Sequence, residues 1–253
     1  MKRIKLIGII ILTGIISLVS FSSCDLDDGY SLDYSWPGIA TIHPLSEGSK
    51  SFYMVLDNGD KLWIAASDVY GYKPKEGQRA LVDYTILSDE KDGYDHYVKL
   101  NNIKDILTKG VIDLDAENQD SIGNDPVKIL TMWVGDHYLN IGFGYNVGYK
   151  GIVHFLNLVN NTLNNDLVDG AIPLEFRHNA NGDDSSSGVR GYVAFDLRPY
   201  QVEGKDSVDF LIKVRDFSDE KEYKITYNYK ENSLNINKEL DNLESNFDAT
   251  KYK

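Results

Sequence analysis

The sequence predicts an all-β protein in which a small five-stranded, OB-like barrel is followed by an antiparallel β-sandwich of about seven strands. The first observation behind this prediction is that apolar and polar residues alternate with a period of two, with almost no helical pattern. The second is the content of 17 Tyr, nine Phe and three Trp, because aromatic side chains pack well on pleated sheets. The third is that turns rich in Gly, Asn, Asp and Ser separate short apolar runs, as in barrels and sandwiches.

The barrel is predicted within residues 38–110. Its five candidate strands are 39–43, 51–56, 61–65, 80–87 and 94–101. Asn58-Gly59, between the second and third strands, is a strong signal for a tight hairpin. Five short strands in a segment of this size fit an OB-fold, although an SH3-like barrel would give much the same pattern.

The sandwich is predicted within residues 111–232. Its seven candidate strands are 127–134, 137–143, 151–159, 172–176, 189–197, 208–214 and 223–229. Their number and spacing suit two packed antiparallel sheets. The acidic connection 113–126 is the natural domain boundary, and residues 233–253 are expected to form a polar tail or a short terminal helix.

The N-terminus is predicted to be a lipoprotein signal peptide, residues 1–23. Three basic residues precede an apolar run, and small residues stand directly before Cys24. Cys24 is the only cysteine in the chain, so it has no internal disulfide partner and is the expected site of lipidation. Two or more acyl chains on Cys24 would anchor the protein stably to a membrane. The alternative is an uncleaved anchor, because residues 6–24 form an uncharged stretch just long enough to span a bilayer.

Residues 24–37 are predicted to form an acidic tether behind the lipid anchor. Asp25, Asp27 and Asp28 resemble the export signal of lipoproteins displayed on the outer surface of Bacteroides-type bacteria. The predicted location is therefore the cell envelope, as an outer-membrane lipoprotein facing outward. The alternative is that these acids are a solvated spacer, as charge runs near termini often are.

The chain is acidic, and the acids are unevenly distributed. Removal of residues 1–23 takes away Lys2, Arg3 and Lys5, which changes the formal net charge from −13 to −16. The barrel segment is nearly neutral, with 11 acidic and nine basic residues, whereas residues 111–232 carry 20 acidic and 11 basic residues. Such a surface repels phosphate backbones, so nucleic acid is not expected as a partner.

Several short motifs resemble the NigD-like lipoproteins of Bacteroides-type bacteria. They include the acylated Cys followed by an Asp run, and then Gly-Tyr-Ser-Leu at 29–32. Trp36 and Ala-Thr-Ile at 40–42 follow, and further landmarks lie at 56–59, 62–65, 77–79 and 103–106. The resemblance implies an N-terminal OB-like domain and a C-terminal β-sandwich, in agreement with the strand count. It brings no established activity and no catalytic residues.

No catalytic motif or cofactor site is recognised in the sequence. None of the five His residues is spaced to give two metal ligands from one element, and His154 is expected to be a hydrogen-bonded core histidine. No Gly-x-Ser-x-Gly turn is present, and Gly142-x-Gly144 is followed by no helix signal, as a dinucleotide site would need. A catalytic role and a cofactor are therefore not predicted.

One loop is a weak candidate for metal binding. Asn179, Asn181 and Asp183 place oxygen ligands at alternate positions, which is how a loop wraps Ca²⁺. However, Gly182 and Arg190 do not fit the positions that an EF-hand requires. A polar turn between two strands is the competing interpretation.

The predicted function is a non-enzymatic accessory lipoprotein, tethered by Cys24, that binds a protein or glycan partner through its β domains. An OB barrel binds ligands on one strand face and its flanking loops. The candidate rim residues are Tyr70, Tyr72, Lys73, Lys75, Tyr94 and Tyr97. The alternatives are a hydrolase that uses two sandwich carboxylates, with or without Ca²⁺, and a structural component of an envelope assembly.

Overall fold

The computed structural model describes residues 30–148, 151–163, 168–183 and 187–230. The predicted signal peptide, Cys24, the three aspartates behind it and the tail 233–253 lie outside the described residues. The alternative membrane anchor at 6–24 does so too. Within the described residues, no helix is long and apolar enough to cross a bilayer. The described residues from Leu32 onward form one compact unit that contains both the barrel and the sandwich.

The first five strands form a closed barrel, as predicted. They are β1 (Trp36–Pro44), β2 (Phe52–Leu56), β3 (Lys61–Ser67), β4 (Gln78–Ser88) and β5 (His96–Asp105). Their order is β1-β2-β3-β5-β4, with β4 returning to pair with β1. The β3–β5 pair is parallel and the other pairs are antiparallel. Because every strand is paired on both sides, the barrel has no free edge.

Alternation along the strands separates the barrel core from its outer face. Met54, Leu62 and Val98 are fully buried and pack in one cluster inside the barrel. Each such side chain contributes about 1.5–3 kcal/mol of hydrophobic stabilisation when it leaves water. Their sequence neighbours must point outward, because successive side chains of a strand lie on opposite faces. This places Tyr53, Trp63 and other aromatic residues on the outside.

The second half of the described chain forms two packed sheets. The elements are β6 (Leu107–Gly110), β7 (Ile112–Leu114), α1 (Gln119–Ile122), β8 (Lys128–Gly135), β9 (Tyr138–Val147), β10 (Phe155–Asn161), β11 (Ile172–Asn179), β12 (Ser187–Asp196), β13 (Ser207–Arg215) and β14 (Glu220–Asn228). One sheet has the order β6-β12-β9-β8 and the other β14-β13-β11-β10-β7. All seven predicted sandwich strands have a counterpart here, so the predicted fold class is confirmed.

Two of the sandwich strands, β6 and β7, were not predicted as sandwich strands. They have four and three residues and pair in parallel with β12 and β10, which are distant in sequence. Local alternation cannot reveal a strand this short when its partner is so far away. Residues 107–110, assigned from the sequence to the barrel segment, therefore belong to a sandwich sheet. A third parallel pair joins β11 to β13, so the sandwich is mixed rather than purely antiparallel.

A separate apolar cluster joins the barrel to the sandwich. Ile39 of β1 and Ile106, between β5 and β6, pack with Trp133, Tyr138 and Ala194 of the sandwich. All five side chains are buried. We call these five residues the domain joint. Its continuous packing indicates that the two β domains are held in one relative orientation.

Candidate functional site

Aromatic side chains line up across four adjacent strands on the outer face of the barrel. His43 lies opposite Tyr53 in the β1–β2 pair, Tyr53 opposite Trp63 in the β2–β3 pair, and Trp63 opposite Tyr97 in the β3–β5 pair. Tyr94, from the loop between β4 and β5, adds a fifth ring. We call these five residues the aromatic row. Four of them occupy outward positions, which explains why they lie outside the barrel core.

The rings of the aromatic row contact one another. His43 and Tyr53 are stacked, with ring centroids 4.9 Å apart. The ring of Tyr94 lies 5.7 Å from Tyr53, 5.1 Å from Trp63 and 6.4 Å from Tyr97. All five side chains keep part of their surface exposed. The row is therefore a continuous, half-exposed aromatic surface.

Charged groups border this surface. Nδ1 of His43 lies 2.7 Å from Oε1 of Glu76, and the hydroxyl of Tyr97 donates to Asp92 at 2.9 Å. Nζ of Lys91 lies over the ring of Tyr97, 5.2 Å from its centroid. The pKa of Tyr53 is raised, first by burial and then by the nearby carboxylates of Glu76 and Asp136. Most of the charge in contact with the aromatic row is thus negative.

A cleft of about 450 Å³ opens beside the row, between the loop that precedes β2 and the loop that follows β3. Trp63 belongs to both features. Apolar and aromatic side chains form most of its wall, namely Leu45, Phe52, Ile64, Val69, Tyr70, Tyr72 and Leu100, and Lys50 adds an ammonium group. We call this the aromatic cleft. Its volume lies in the range of ordinary ligand pockets.

The two tyrosines of the aromatic cleft differ in how many contacts hold their side chains in place. The hydroxyl of Tyr72 donates to Asp105 at 2.7 Å, and its ring packs on Phe52 with centroids 5.4 Å apart. Burial and this hydrogen bond both raise the pKa of Tyr72. Tyr70, in contrast, is 91% exposed. Tyr72 is a fixed part of the wall, whereas Tyr70 stands at the mouth.

The structure places four of the six predicted rim residues in two neighbouring groups. Tyr70 and Tyr72 line the aromatic cleft, and Tyr94 and Tyr97 belong to the aromatic row. The two lysines are exposed in the loop that follows Tyr72. Trp63, which joins the two groups, was not predicted from the sequence.

His43 and Tyr53 were not predicted from the sequence either. All three missed residues stand next to core residues of the same strand, so strict alternation would have placed them on the outer face. The signal was therefore present in the strand pattern.

The sandwich holds a buried chain of hydrogen-bonding side chains. Nε2 of His154 lies 3.2 Å from Oδ2 of Asp183, and Nδ1 of His154 lies 2.9 Å from Nε2 of His178. Nδ1 of His178 lies 3.1 Å from the carbonyl oxygen of Pro126. The ring of Tyr145 stacks on both imidazoles, at 4.6 and 4.7 Å. His154 is therefore a hydrogen-bonded histidine in a packed environment, as the sequence indicated.

The carbonyl oxygen of Pro126 determines the tautomer of His178. A carbonyl oxygen only accepts, so Nδ1 of His178 carries the proton and Nε2 accepts from His154. Burial lowers the pKa of His178, and the neighbouring His154 acts in the same direction. The hydrogen bond to Pro126 and the nearby Asp125 oppose this shift. The folded protein therefore disfavours protonation of His178 relative to a free imidazole.

The three candidate metal ligands have different surroundings. Asp183 is buried, and its Oδ2 accepts from the backbone N–H of Gly148 at 2.8 Å and faces His154. Oδ1 of Asn179 instead accepts from the backbone N–H of Asn181, at 2.7 Å. Among the described residues, no group of three or more His, Cys, Asp or Glu side chains is arranged to hold a metal ion.

A second cleft, of about 370 Å³, lies on the sandwich near α1. Its lining residues are Leu114, Gln119, Asp120, Gly123, Asn124, Asn161, Leu163 and Arg177. Asp120 is the single carboxylate among them. The guanidinium of Arg177 is already paired with Glu175. This cleft therefore lacks a pair of carboxylates of the kind that glycoside hydrolysis needs.

A buried ion pair fixes the barrel on the sandwich beside the domain joint. The guanidinium of Arg79 donates to the carboxylate of Asp57 and, at 2.9 Å, to the hydroxyl of Thr41. The indole N–H of Trp133 donates to the second oxygen of Asp57 at 2.8 Å, and Asn140 accepts from Arg79 at 3.2 Å. Both charged side chains are almost completely buried. The network orients the β2–β3 hairpin, which carries Tyr53 and Trp63.

The chain resembles solved structures over most of its length. A protein from Parabacteroides distasonis described as toxin-related is 37% identical and covers 83% of this chain and 99% of its own, with a TM-score of 0.68. A protein of unknown function from Bacteroides vulgatus is 31% identical and covers 80% of this chain and 95% of its own, also with a TM-score of 0.68. A NigD-like immunity protein from Bacteroides caccae shares the fold at 19% identity, with coverages of 77% and 97% and a TM-score of 0.57.

No curated protein matches the chain. Comparison with protein families, however, gives the same division of the chain into two domains as the structure does. Residues 39–106 match the NigD-like N-terminal OB domain, and residues 110–227 match the NigD-like C-terminal β-sandwich domain. The first match covers the barrel strands, and the second covers the sandwich. The chain therefore belongs to the NigD-like family, as its sequence motifs indicated.

Proposed function

We propose that this protein is a membrane-anchored accessory lipoprotein that binds a protein or glycan partner through the aromatic row and the aromatic cleft, without catalysis. The observation that carries the proposal is the meeting of these two features at Trp63. Together they give a continuous surface with a concave part on an otherwise charged molecule. Exposed aromatic residues grouped in this way are characteristic of recognition surfaces.

The position of the surface on the barrel supports the proposal. OB-folds bind ligands on the face of their second and third strands and on two flanking loops. Tyr53 and Trp63 lie on those strands, and Tyr94 comes from the loop between β4 and β5. The aromatic residues therefore occupy the part of the fold that is suited to binding.

A non-catalytic role is supported by the residues that line the two clefts and by the burial of the His154–Asp183 pair. Neither cleft is lined by a pair of carboxylates. His154 and Asp183 are close enough to form an acid–base pair, but their side chains are 3% and 0% exposed. A substrate could not reach them without rearrangement of the sandwich. For this reason we do not favour a hydrolase.

The descriptions of the structural neighbours bear on the type of partner. One neighbour is described as toxin-related and another as an immunity protein. Both descriptions apply to those proteins. Carried over to this chain, they would favour a protein partner, so the binding test includes one.

The binding test compares wild type with a Trp63→Leu, Tyr94→Ala variant, on a glycan array and by capture from outer-membrane extracts. Both side chains lie outside the barrel core, so the variant is expected to fold. The matched control is Trp36→Leu, which changes a half-exposed Trp at the start of β1. We expect a ligand that is retained by wild type and control but lost by the variant. Inertness of the wild type in both assays would contradict the proposal.

The location is tested separately, through Cys24 and the acids behind it. Cys24→Ala should abolish lipidation, because only the thiol can form the thioether to the diacylglycerol. Replacement of Asp25, Asp27 and Asp28 with Ala should preserve lipidation and stability but change the side of the outer membrane that the protein faces. Protease shaving of intact cells measures this. Equal shaving of wild type and triple variant would mean that the acids are only a spacer.

A further inference from the structure

We infer that the aromatic cleft takes a carbohydrate that carries a carboxylate group, an inference that rests on the binding function proposed above. Three features of the cleft lead to it. The wall is aromatic and concave, every strand of the surrounding barrel has a partner on both sides, and the one charged residue of the wall is Lys50.

The wall of the cleft suits the apolar face of a sugar ring. Trp63 and Tyr72 are part of the wall, and Tyr70 stands at the mouth with 91% of its surface exposed. Tyr and Trp combine a large apolar face with a polar group at the edge. A sugar likewise presents C–H groups on its faces and hydroxyls at its edge. The serine side chains of the lining, Ser51 and Ser67, add groups that can exchange hydrogen bonds with hydroxyls.

Closure of the barrel argues against an extended peptide as the ligand. Peptides that bind to sheets commonly add a strand to an open edge, and main-chain hydrogen bonds then give the affinity. Here each barrel strand has a partner on both sides, although the β2–β3 pairs end at Tyr53 and Trp63, which leaves only the end of β3 beside the cleft without a partner from β2. Side chains therefore form most of the surface that a ligand meets, which favours a ligand held by stacking and hydroxyl contacts.

The charges in the loops of the cleft point to a carboxylate. Lys50 lines the cleft, and Lys73 and Lys75 lie outside its lining, in the loop that follows the wall residue Tyr72. None of the three lysines makes an ion pair with any residue that the structure describes. All three are exposed, so each ammonium group is available to a ligand.

Most of the acidic side chains in the same loops already have ion-pair or hydrogen-bond partners. Asp68 is paired with Lys99 at 2.6 Å, Glu76 contacts His43, and Asp105 accepts from Tyr72. None of these acids lines the cleft, and neither does Glu47, which shares a loop with Lys50. Lys50 is therefore the one charged side chain in the wall of the cleft, on a strongly acidic protein.

The overall charge limits how many anionic groups the ligand can carry. At physiological ionic strength, charges more than about 8 Å apart are largely screened, so the lysines dominate at contact. A long polyanion such as nucleic acid would extend beyond them and meet the acidic surface. One or a few carboxylates on a sugar chain avoid this repulsion.

The test measures binding of two matched pairs of sugars to the whole folded protein by calorimetry. The pairs are 3′-sialyllactose with lactose, and trigalacturonic acid with galactotriose. We expect at least one acidic sugar to bind more tightly than its neutral counterpart, with the preference falling as salt is added. The pair that shows the preference identifies the source of the carboxylate as a sialic acid or a uronic acid.

Variants separate stacking from charge. Tyr70→Ala should weaken both members of a pair about twofold to tenfold, because it removes an exposed aromatic face. Lys50→Gln and Lys73→Gln should each weaken only the acidic sugar, about twofold to fivefold. Lys205→Gln, on an exposed lysine between β12 and β13, is the control and should change neither.

Equal binding of acidic and neutral sugars, or an unchanged preference in the two lysine variants, would overturn the carboxylate assignment. If no sugar binds while an envelope protein is still captured through Trp63 and Tyr94, the inference is wrong and the proposed function stands. If neither sugars nor proteins depend on this surface, both fail.

Discussion

At the scale of single residues, the ion pair Arg79–Asp57 is notable because both of its side chains are almost completely buried. Asp57 receives hydrogen bonds from Arg79 and Trp133, and both of its carboxylate oxygens are used. Because the pair is excluded from water, its two charges are tolerated only together. A partner left alone would be an uncompensated charge in an apolar setting.

We therefore expect Asp57→Ala to lower the free energy of unfolding by about 3–5 kcal/mol. The matched control is Asp68→Ala, which breaks the exposed Lys99–Asp68 pair on the same barrel and should cost less than about 1 kcal/mol. Urea unfolding of the three proteins measures both values. Similar losses in the two variants would show that burial of the Arg79–Asp57 pair has no special effect.

His178 should make stability depend on pH. Its pKa in the folded protein is below the ordinary 6.5, mainly because of burial. Below pH of about 6.5, the unfolded chain takes up a proton that the folded protein refuses. Stability should therefore be complete above that pH and fall as the pH drops toward the lowered pKa. Asp125, His154 and Tyr145 are the other titratable groups that face this imidazole, and Asp183 contacts the far side of His154.

The measurement is the midpoint of urea unfolding between about pH 8 and pH 5. His178→Gln should be less stable at the upper pH but should lose less stability on acidification than wild type. Asn181→Gln changes an exposed neighbour and should keep the dependence of wild type. A wild-type midpoint that rises on acidification would have the wrong sign for a buried neutral histidine.

At the scale of elements, the approach of the β8–β9 turn to the barrel depends on one glycine. A Cβ atom on Gly135 would lie 2.5 Å from Oδ1 and 2.6 Å from Oδ2 of Asp57. These atoms belong to a buried ion pair and cannot move aside as a flexible surface side chain would. Gly135 is therefore required for its small size, so that the end of β8 can contact the barrel.

Gly135→Ala should lower the free energy of unfolding by about 1–3 kcal/mol, as expected for overpacking of a close contact. Gly110→Ala is the matched control, because this glycine also lies in a strand and a Cβ there would meet nothing within 4 Å. Thermal unfolding of both variants gives the comparison. A neutral effect of Gly135→Ala would mean that the joint can shift to admit a methyl group.

At the scale of the whole molecule, the domain joint should make the barrel and the sandwich unfold together. Ile106 and Trp133 are buried between the two domains, and the Arg79–Asp57 network lies beside them. Separation of the domains would expose these apolar surfaces and a buried ion pair. Wild type should therefore show one cooperative transition, with equal calorimetric and van't Hoff enthalpies.

The double substitution Ile106→Ala, Trp133→Ala should separate this transition into two. Ile212→Ala is the control, because it removes a fully buried side chain inside the sandwich core. It should lower stability by about 2–5 kcal/mol without creating a second transition. Two transitions in the wild type would show that the joint does not couple the domains.

The sequence determined the fold class, the five barrel strands and most of the sandwich, because these depend on a local property. Alternation of period two and the Asn58-Gly59 turn each involve only a few neighbouring residues, so they can be recognised without knowledge of the rest of the chain. The sequence also predicted Tyr70, Tyr72, Tyr94 and Tyr97 as a binding rim, and the structure places the first two in the aromatic cleft and the last two in the aromatic row. The family motifs led to the same two-domain division.

Only the tertiary structure decided which of these residues meet. The β3–β5 pairing brings Trp63 beside Tyr97, although the two are far apart in sequence. Similarly, β6 and β7 exist because distant strands offer them partners, and His154 meets His178 and Asp183 across a sheet. These contacts depend on closure of a barrel and packing of two sheets. Such long-range geometry is set by the summed burial of many side chains, which no single segment of sequence encodes.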